Sequence, residues 1–393
     1  MKSNSAISYE LEDMKIAAAE LAKAVDVFPL LKSSIGILYF STELDAEKLM
    51  SEIKKLLPFD IMGCSTQAVL NEKTGMNEFS SSLLVLTADD CDFNIFVSEP
   101  LTSENIKRQI TGICESVTRV KHDLKLILLN CPHMPDIIFD NFPEAFSEGT
   151  GGLPVFGGAA GYSIDNDISL VTFNENLYTD RLVCCFISGN LAPVFSAMGY
   201  FSLTTIKTQI ATKTDGDVIY TIDDMSFVDY LESMGIVTSE PEMYASIILK
   251  VKWGDDDGKD GGVYRSISSL NKEDGSGKVG CCVPQGSEIY TTTYKSDDIK
   301  ISTKVCIDTI IEQIRNAESE DYKYTTVLCG SCWGRYLCMF PSKKIEGDII
   351  KESAPPEMNF AGYYTNGEIC PIAFKNGVAV NRAHNATITM CAF

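Results

Sequence analysis

The sequence predicts an α+β protein of two domains, with mixed, largely antiparallel sheets flanked by helices. A length of 393 residues is enough for two or three domains of about 150 residues each. A hydrophobic fraction of 45% is that of an ordinary globular protein with a sizeable core. Strand-like apolar runs are joined by short turns more often than they alternate with helices, and this favours antiparallel pairing.

Elements of the N-terminal half follow from apolar spacing. The first 30 residues are predicted to be a helical segment, because IAAAELAKAV (16–25) is rich in alanine. The apolar run SIGILYF (34–40) predicts a buried strand, and IMGCSTQAV (61–69) predicts a strand that ends in a turn. A second helix is predicted from apolar residues spaced by four, three and four positions, which are Ile106, Ile110, Ile113 and Val117.

We place a domain boundary near residue 223, which gives segments 1–30, 31–223 and 224–393. Asp215-Gly216 predicts a hairpin before it, and the charged run KWGDDDGKDGG (252–262) predicts a solvated loop beyond it. The C-terminus reads as an antiparallel meander with Asn-Gly turns at 366–367 and 376–377. Pro371 lacks an N–H donor, so it requires a sheet edge or a bulge.

Charge and cysteine usage exclude several classes of function. The chain has 54 acidic and 33 basic side chains, a formal charge of −21, which repels phosphate backbones and anionic lipid. We therefore expect neither nucleic acid nor membrane as a partner, and the apolar runs are far shorter than a bilayer span. Fourteen cysteines behind an N-terminus without an apolar block predict free thiols in a cytoplasmic, reducing location.

The glycine-rich stretch EGTGGLPVFGGAAGY (148–162) matches neither dinucleotide nor P-loop spacing. One interpretation is a bend where backbones approach closely. The alternative is that the amides of Gly157 and Gly158 line a ligand pocket.

Catalytic and metal motifs are scarce. Only three histidines occur, and no second C-x-x-C accompanies Cys329-Gly-Ser-Cys332, so we predict no metal, no cofactor and no catalytic residue. Cys332 lies near Arg335 and is the better candidate for a lowered thiol pKa, whereas packed and inert thiols are the alternative. Arg335 suits bidentate carboxylate recognition or a plain ion pair.

The run FAGYYTNGEICPIAF (360–374) places one carboxylate, Glu368, among apolar and aromatic residues. Its Asn366-Gly367 pair predicts a hairpin. A second interpretation is a pocket in which Tyr363 or Tyr364 forms an apolar wall and Glu368 orients a ligand.

Taken in order, these segments resemble the FIST family, named for F-box and intracellular signal transduction proteins. The resemblance is carried by IMGCSTQAV, LPVFGGAAGY (153–162), GGVYRSI (261–267), VLCGSCWGR (327–335), FAGYYTNGEICPI (360–372) and AHNATITM (383–390). It extends from about residue 30 to the C-terminus, so that the two segments beyond residue 30 correspond to FIST N-like and FIST C-like domains. The resemblance implies an intracellular sensory module of a signal transduction system that binds a small molecule, such as an amino acid, and signals through a separate protein.

The residues and the resemblance together predict one ligand site. Its candidate residues are Gly63, Cys64, Ser65, Thr66, Gly157, Gly158, Arg265, Cys332, Arg335, Tyr364, Thr365, Glu368 and Asn385. In this hypothesis Arg335 binds the carboxylate of an amino acid and Glu368 binds its ammonium group. The alternatives are a cysteine-dependent enzyme that uses Cys332 or Cys64, and a scaffold that binds no ligand.

Overall fold

The computed structural model describes residues 1–162, 167–199, 208–253, 262–293, 296–319 and 322–393. Within these ranges the chain forms nine α-helices and twenty-five strands. The helices are α1 (Met14–Ala22), α2 (Ala46–Leu56), α3 (Ile106–Thr118), α4 (Asn141–Thr150), α5 (Phe227–Ser233), α6 (Pro241–Ala245), α7 (Ser296–Ala317), α8 (Trp333–Cys338) and α9 (Ile345–Ser353).

The strands are given in chain order. The first twelve are β1 (Lys2–Ser8), β2 (Ser33–Ser41), β3 (Asp60–Thr66), β4 (Ala68–Asn71), β5 (Gly75–Glu78), β6 (Ser81–Ala88), β7 (Cys91–Val97), β8 (Leu124–Cys131), β9 (Val155–Ala159), β10 (Val171–Phe173), β11 (Asn176–Tyr178) and β12 (Val183–Gly189). The next eight are β13 (Val194–Met198), β14 (Gln209–Asp215), β15 (Val218–Ile222), β16 (Met225–Ser226), β17 (Ile247–Lys252), β18 (Val263–Asn271), β19 (Ser276–Val279) and β20 (Glu288–Thr293). The last five are β21 (Thr326–Cys332), β22 (Asn359–Thr365), β23 (Glu368–Lys375), β24 (Val378–His384) and β25 (Ile388–Ala392).

Three six-stranded sheets share one construction. Their orders are β1-β6-β2-β3-β10-β11, β7-β12-β8-β9-β23-β24 and β13-β25-β21-β22-β4-β5. Each contains a single parallel pair, β2–β3, β8–β9 or β21–β22, whose strands are joined through helical crossovers, and every other pairing in it is antiparallel. The predicted mixed, largely antiparallel sheets with flanking helices are confirmed.

Each parallel pair is followed in the chain by a hairpin that joins a different sheet. Hairpin β4–β5 follows β3 but belongs to the third sheet, β10–β11 follows β9 but belongs to the first, and β23–β24 follows β22 but belongs to the second. The chain thus contains three structural repeats that exchange hairpins in a ring. Strands from both sides of residue 223 share two of these sheets, so the predicted boundary divides the sequence without dividing the sheets.

The three sheets enclose a common apolar core. Tyr39, Leu128 and Leu328, one from each sheet, belong to the same buried cluster. Because side chains alternate along a strand, the opposite face of each sheet is free to pack against helices. The outer layers are α1 with α2, α3 with α4, and α7 with α9, each over its own apolar cluster. We call this assembly the prism, with an inner face toward the common core and an outer face toward the helices.

A fourth sheet is inserted into the third repeat, between β13 and α7. Its order is β14-β20-β17-β18-β19-β15, and β14 also pairs with β15, so these six strands close into a barrel with β16 attached. The barrel has its own apolar core, which includes Ile222, Phe227 and Leu249. The hairpin predicted at Asp215-Gly216 is confirmed as β14–β15.

Two predictions near the chain ends need correction. The first 30 residues are not a single helical segment, because Lys2–Ser8 forms β1 and pairs with β6, and α1 covers only Met14–Ala22. The Asn366-Gly367 hairpin is wrong, since β22 and β23 lie in different sheets. Strand β22 already has β21 on one side and β4 on the other, which leaves no edge for β23.

Other local predictions are confirmed. Asn376 and Gly377 have φ of +53° and +81° and join β23 to β24, as a hairpin turn of this composition requires. The β23–β24 register shifts between Pro371 and Ala373, which is the bulge that proline needs. Helix α3 occupies the predicted periodic segment. Of the predicted solvated loop 252–262, residues 254–261 lie outside the described residues.

Candidate functional site

The carboxyl ends of the three parallel pairs meet at one end of the prism. The amide of Gly161 donates to Ser65 O at 2.7 Å, and the amide of Ala159 donates to Gly367 O at 2.9 Å. The hydroxyl of Thr66 donates to Tyr364 O at 2.9 Å and completes the ring of contacts. The segments 63–66, 157–161 and 364–368, which contain most of the candidate site residues, therefore lie together although they are far apart in the sequence.

Glycines at this end allow strands to approach closely. A Cβ atom on Gly63 would lie 2.0 Å from Leu38 O, and one on Gly157 would lie 1.8 Å from Leu129 O. Gly157 also has a φ of +148°, which side chains rarely tolerate. On Gly158 the added atom would lie 2.4 Å from Gly367 O. Close backbone approach, the first interpretation of the glycine-rich stretch, accounts for these residues.

Glu368 is the exceptional side chain of this end. It begins β23 opposite Gly158, where the corresponding positions of the other two hairpins hold Val171 and Val69. Its side chain is fully buried. Oε1 accepts a hydrogen bond of 2.6 Å from the hydroxyl of Thr365, whereas Oε2 has no hydrogen-bond partner among the described residues.

Burial raises the pKa of the Glu368 carboxyl to about 8, because desolvation disfavours the charged form. The Thr365 hydroxyl and the charge of Arg335 act in the opposite direction and lower the pKa. Weaker lowering comes from the Thr387 amide and the Cys332 thiol. Glu368 is consequently a carboxyl that changes charge near neutral pH.

Two further buried oxygens near Glu368 lack hydrogen-bond partners within the described ranges: Tyr363 OH and Asn385 Oδ1. Tyr363 OH would lie 3.3 Å from a Cβ atom on Gly158, the residue opposite Glu368. Asn385 touches Gly280, and Cys281 lies close enough to Glu368 for the carboxylate to raise the thiol pKa. We call Tyr363, Thr365, Glu368 and Asn385 the axial site.

Neither candidate cysteine is activated. Burial, followed by the charge of Glu368, raises the pKa of Cys332, which agrees with the interpretation of packed, inert thiols and not with a lowered pKa. Burial also raises the pKa of Cys64 well above its usual value. Since the thiolate is the nucleophilic form, both side chains are poor nucleophiles in this conformation.

Arg335 is completely buried and forms an ion pair with Glu346. Its Nη2 and Nε donate to Glu346 Oε1 at 2.6 and 2.8 Å. Glu346 Oε2 accepts hydrogen bonds of 2.8 Å from Ser331 and from Tyr364 OH. The carboxylate bound by Arg335 is therefore one of the protein's own, as in the ion-pair interpretation, but the pair is buried and not at the surface.

Arg335 and Glu368 belong to opposite faces of the third sheet. Ser331 and Tyr364 point toward Glu346 on the outer face. Their neighbours Cys332 and Thr365 therefore point to the inner face, where Thr365 contacts Glu368. The structure brings Thr66, Gly158, Thr365 and Glu368 to one end of the prism but turns Tyr364 and Arg335 away from it.

Arg265 is also engaged within the protein. This barrel residue is fully buried and its Nη2 lies 3.1 Å from Asp140 Oδ1. Its Nη1 donates to Ala383 O at 2.9 Å, and the amide of Cys282 donates to Asp140 Oδ2 at 2.6 Å. Asn385 is bound from the barrel side as well, because its backbone N–H donates to Tyr264 O at 3.3 Å. The barrel thus covers the end of the prism that holds the axial site.

Two hollows lie elsewhere in the part of the chain that the structure describes. A cavity with room for about one water molecule lies in the common core, lined by Tyr39, Asn130 and apolar side chains. A surface cleft of about 640 Å³ is lined by Asp90, Asp123, Lys125 and other residues. The described residues include no group of three or more histidine, cysteine or acidic side chains placed to hold a metal ion.

Comparison with known protein families matches residues 34–225 to the FIST N domain and residues 228–371 to the FIST C domain. The chain belongs to the FIST family. The family identified from the sequence is therefore confirmed by both domain matches. FIST domains are sensory modules of signal transduction. No curated protein matches the chain. None of the helices that the structure describes is long and apolar enough to cross a membrane.

Two solved structures are similar over most of the chain. A chorismatase shares 8% identity with a TM-score of 0.35, over 91% of this chain and 92% of that one. A cyanuric acid hydrolase from A. caulinodans shares 6% identity with a TM-score of 0.33, over 99% of this chain and 98% of that one. Both TM-scores lie below 0.5, so neither similarity supports a functional assignment.

Proposed function

We propose that this FIST protein is a cytoplasmic sensory module that binds a small molecule with a protonated amine, such as an amino acid, at the axial site. It would signal through a separate protein. The observation that carries the proposal is the pair of buried oxygens, Glu368 Oε2 and Asn385 Oδ1, which accept no hydrogen bond from the described residues. The Thr387 amide and the Cys332 thiol lie near enough to Glu368 to lower its pKa but leave Oε2 without a hydrogen bond.

Buried acceptors without donors select the chemistry of the ligand. Leaving a buried polar atom unpaired costs about 1–3 kcal/mol, and more when the group is charged. An ammonium group offers three N–H donors and a positive charge, and this chemistry matches a buried carboxylate and an amide oxygen that lack donors. Tyr363 stacks on Tyr39 with ring centroids 4.2 Å apart and supplies an aromatic wall beside the carboxyl.

The same geometry supports binding over catalysis. An enzyme of the cysteine class requires a thiolate and a base within hydrogen-bond reach. Burial raises the thiol pKa of both Cys332 and Cys64, and the charge of Glu368 raises that of Cys332 further. We therefore assign the axial site to ligand recognition.

A thermal-shift screen of amino acids and primary amines tests the proposal, because a ligand that binds only the native state raises Tm. Glu368→Gln keeps the shape of the side chain but removes the charge. We expect this change to weaken binding by roughly 1.5–3 kcal/mol, about tenfold to a hundredfold or more. Glu357→Gln, at an exposed glutamate, is the matched control.

Wild-type protein and Glu368→Gln that bind the same amine with equal affinity would remove the axial site from the proposal. A screen in which only compounds without an amine raise Tm would overturn the ligand class.

A further inference from the structure

The axial site is closed to solvent. Glu368 is fully buried and Asn385 is 7% exposed. The cover is the barrel, whose residue Gly280 touches Asn385 and whose Cys281 lies close enough to Glu368 for the carboxylate to raise the thiol pKa. A ligand of the proposed function cannot reach the carboxyl unless this cover moves.

The barrel is a structural unit with its own core. Its strands close on themselves, and among the described residues its apolar core consists of barrel residues alone. Its apolar contact with the prism comes from side chains such as Ile248 and Tyr264, which pack into the apolar cluster on the outer face of the third sheet. Separation would therefore expose little of the barrel's own core, and relative motion is the usual behaviour of such units.

The strongest polar contact across this boundary is the ion pair between Asp140 of the prism and Arg265 of the barrel. Both side chains are almost completely buried, at 7% and 0% exposure. Asp140 also accepts a hydrogen bond from the Cys282 amide, and Arg265 also donates to Ala383 O. The ion pair therefore connects backbone groups of the barrel and of β24. Charged hydrogen bonds in a dry environment are stronger than surface pairs.

We propose that the barrel is a lid over the axial site, and that the Asp140–Arg265 ion pair is the latch that holds it closed. The role of the lid rests on the proposed function, since the lid would admit the ligand. The opening motion itself is inferred from the contacts between barrel and prism. Opening breaks the latch, moves Gly280 and Cys281 away from Asn385 and Glu368, and withdraws Ile248 and Tyr264 from the apolar cluster of the third sheet, while the barrel's own core stays intact.

Native cysteines report this motion without any ligand. Cys281 is fully buried at the boundary between barrel and prism, whereas Cys184 is fully buried in the outer core of the second sheet. Wild-type protein is incubated with a thiol-alkylating reagent at several urea concentrations below the unfolding transition, and labelling is followed by peptide mass spectrometry. Because local opening exposes less surface than global unfolding, we expect Cys281 to react faster and with a weaker urea dependence than Cys184.

The latch is tested by Asp140→Asn. We expect at least tenfold faster labelling of Cys281 and an unchanged rate at Cys184. Asp123→Asn, which removes the partner of Lys125 at an exposed pair, is the matched control and should leave both rates unchanged.

Equal rates and equal urea dependence for the two cysteines in wild-type protein would overturn the lid. That comparison decides the matter even if Asp140→Asn does not fold. A folded Asp140→Asn with an unchanged Cys281 rate would overturn the latch. Failure of the amine screen leaves these outcomes unaffected, so the lid and the proposed function fail separately.

Discussion

Two buried glutamates lie on opposite faces of the third sheet, and only one of them is fully paired. Glu346 receives donors from Arg335, Ser331, Thr303 and Tyr364. Glu368 receives a hydroxyl bond from Thr365, and its second oxygen has no hydrogen-bond partner among the described residues. Removing one donor from a fully paired buried charge is strongly destabilising. A buried carboxylate with too few donors can still accept a hydrogen bond from a ligand.

Glu346 and Glu368 have different roles, although both are buried glutamates. Both carboxylates are at 0% exposure, and both lie near the strand pair β21–β22. The difference is the neighbouring cation, because Arg335 pairs directly with Glu346 and only lowers the pKa of Glu368 from a greater distance. Glu346 therefore belongs to the framework, and Glu368 to the proposed site.

The largest expected effect is on the framework pair. Arg335→Met leaves Glu346 buried without its cation, and such changes usually cost about 3–5 kcal/mol of unfolding free energy. Urea unfolding followed by circular dichroism measures the loss. A change below about 1 kcal/mol would mean that Glu346 does not depend on Arg335, and the contrast between the two glutamates would fail.

The pH dependence of stability is the next effect. The pKa of Glu368 is about 8 in the folded protein and near 4.5 when unfolded, so between these values the native state holds the extra proton. Stability from this group is fully present below pH 4.5 and is lost as pH rises toward 8, by at most about 1.4 kcal/mol per pH unit.

Unfolding free energies of wild-type protein and Glu368→Gln, measured from pH 5 to pH 9, isolate this contribution. We expect the variant to be the more stable protein at the alkaline end, since glutamine stays neutral there. Parallel curves for the two proteins would show that Glu368 does not titrate in this window.

Ligand affinity should follow the same carboxyl. If an amine binds ionised Glu368, its affinity rises as pH increases toward 8, because less free energy is spent on removing the proton. Each pH unit below the pKa should weaken binding by about tenfold, or about 1.4 kcal/mol. Calorimetric titration at three pH values checks this, and an affinity that is independent of pH in wild-type protein would contradict it.

Adjacent tyrosines provide the finest test. Tyr364 OH donates to Glu346 Oε2 at 2.8 Å, so Tyr364→Phe should cost about 1.5–3 kcal/mol of stability. Tyr363 OH has no hydrogen-bond partner among the described residues, and Tyr363→Phe keeps the stacking on Tyr39. We expect a change within about 0.5 kcal/mol for Tyr363→Phe, and comparable losses for both variants would remove the distinction between the two faces.

The sequence by itself determined the local structure and the family. The spacing of Ile106, Ile110 and Val117 specifies helix α3, and Asn376-Gly377 specifies its hairpin, because neighbouring residues decide these conformations. The ordered motifs also identified the FIST family and most of the segments that meet at the end of the prism.

Only the tertiary structure decided which segments pair and which charges meet. Asn366-Gly367 has the composition of a hairpin turn, yet β22 pairs with β4, almost 300 residues earlier, and β23 joins another sheet. Arg335 could have taken a ligand's carboxylate, but α9 places Glu346 against it, and Asp140 reaches Arg265 across 125 residues. Such partners are brought together by sheet packing over long chain separations, so no local spacing records them. Whether a buried carboxylate has enough donors depends on everything that packs around it.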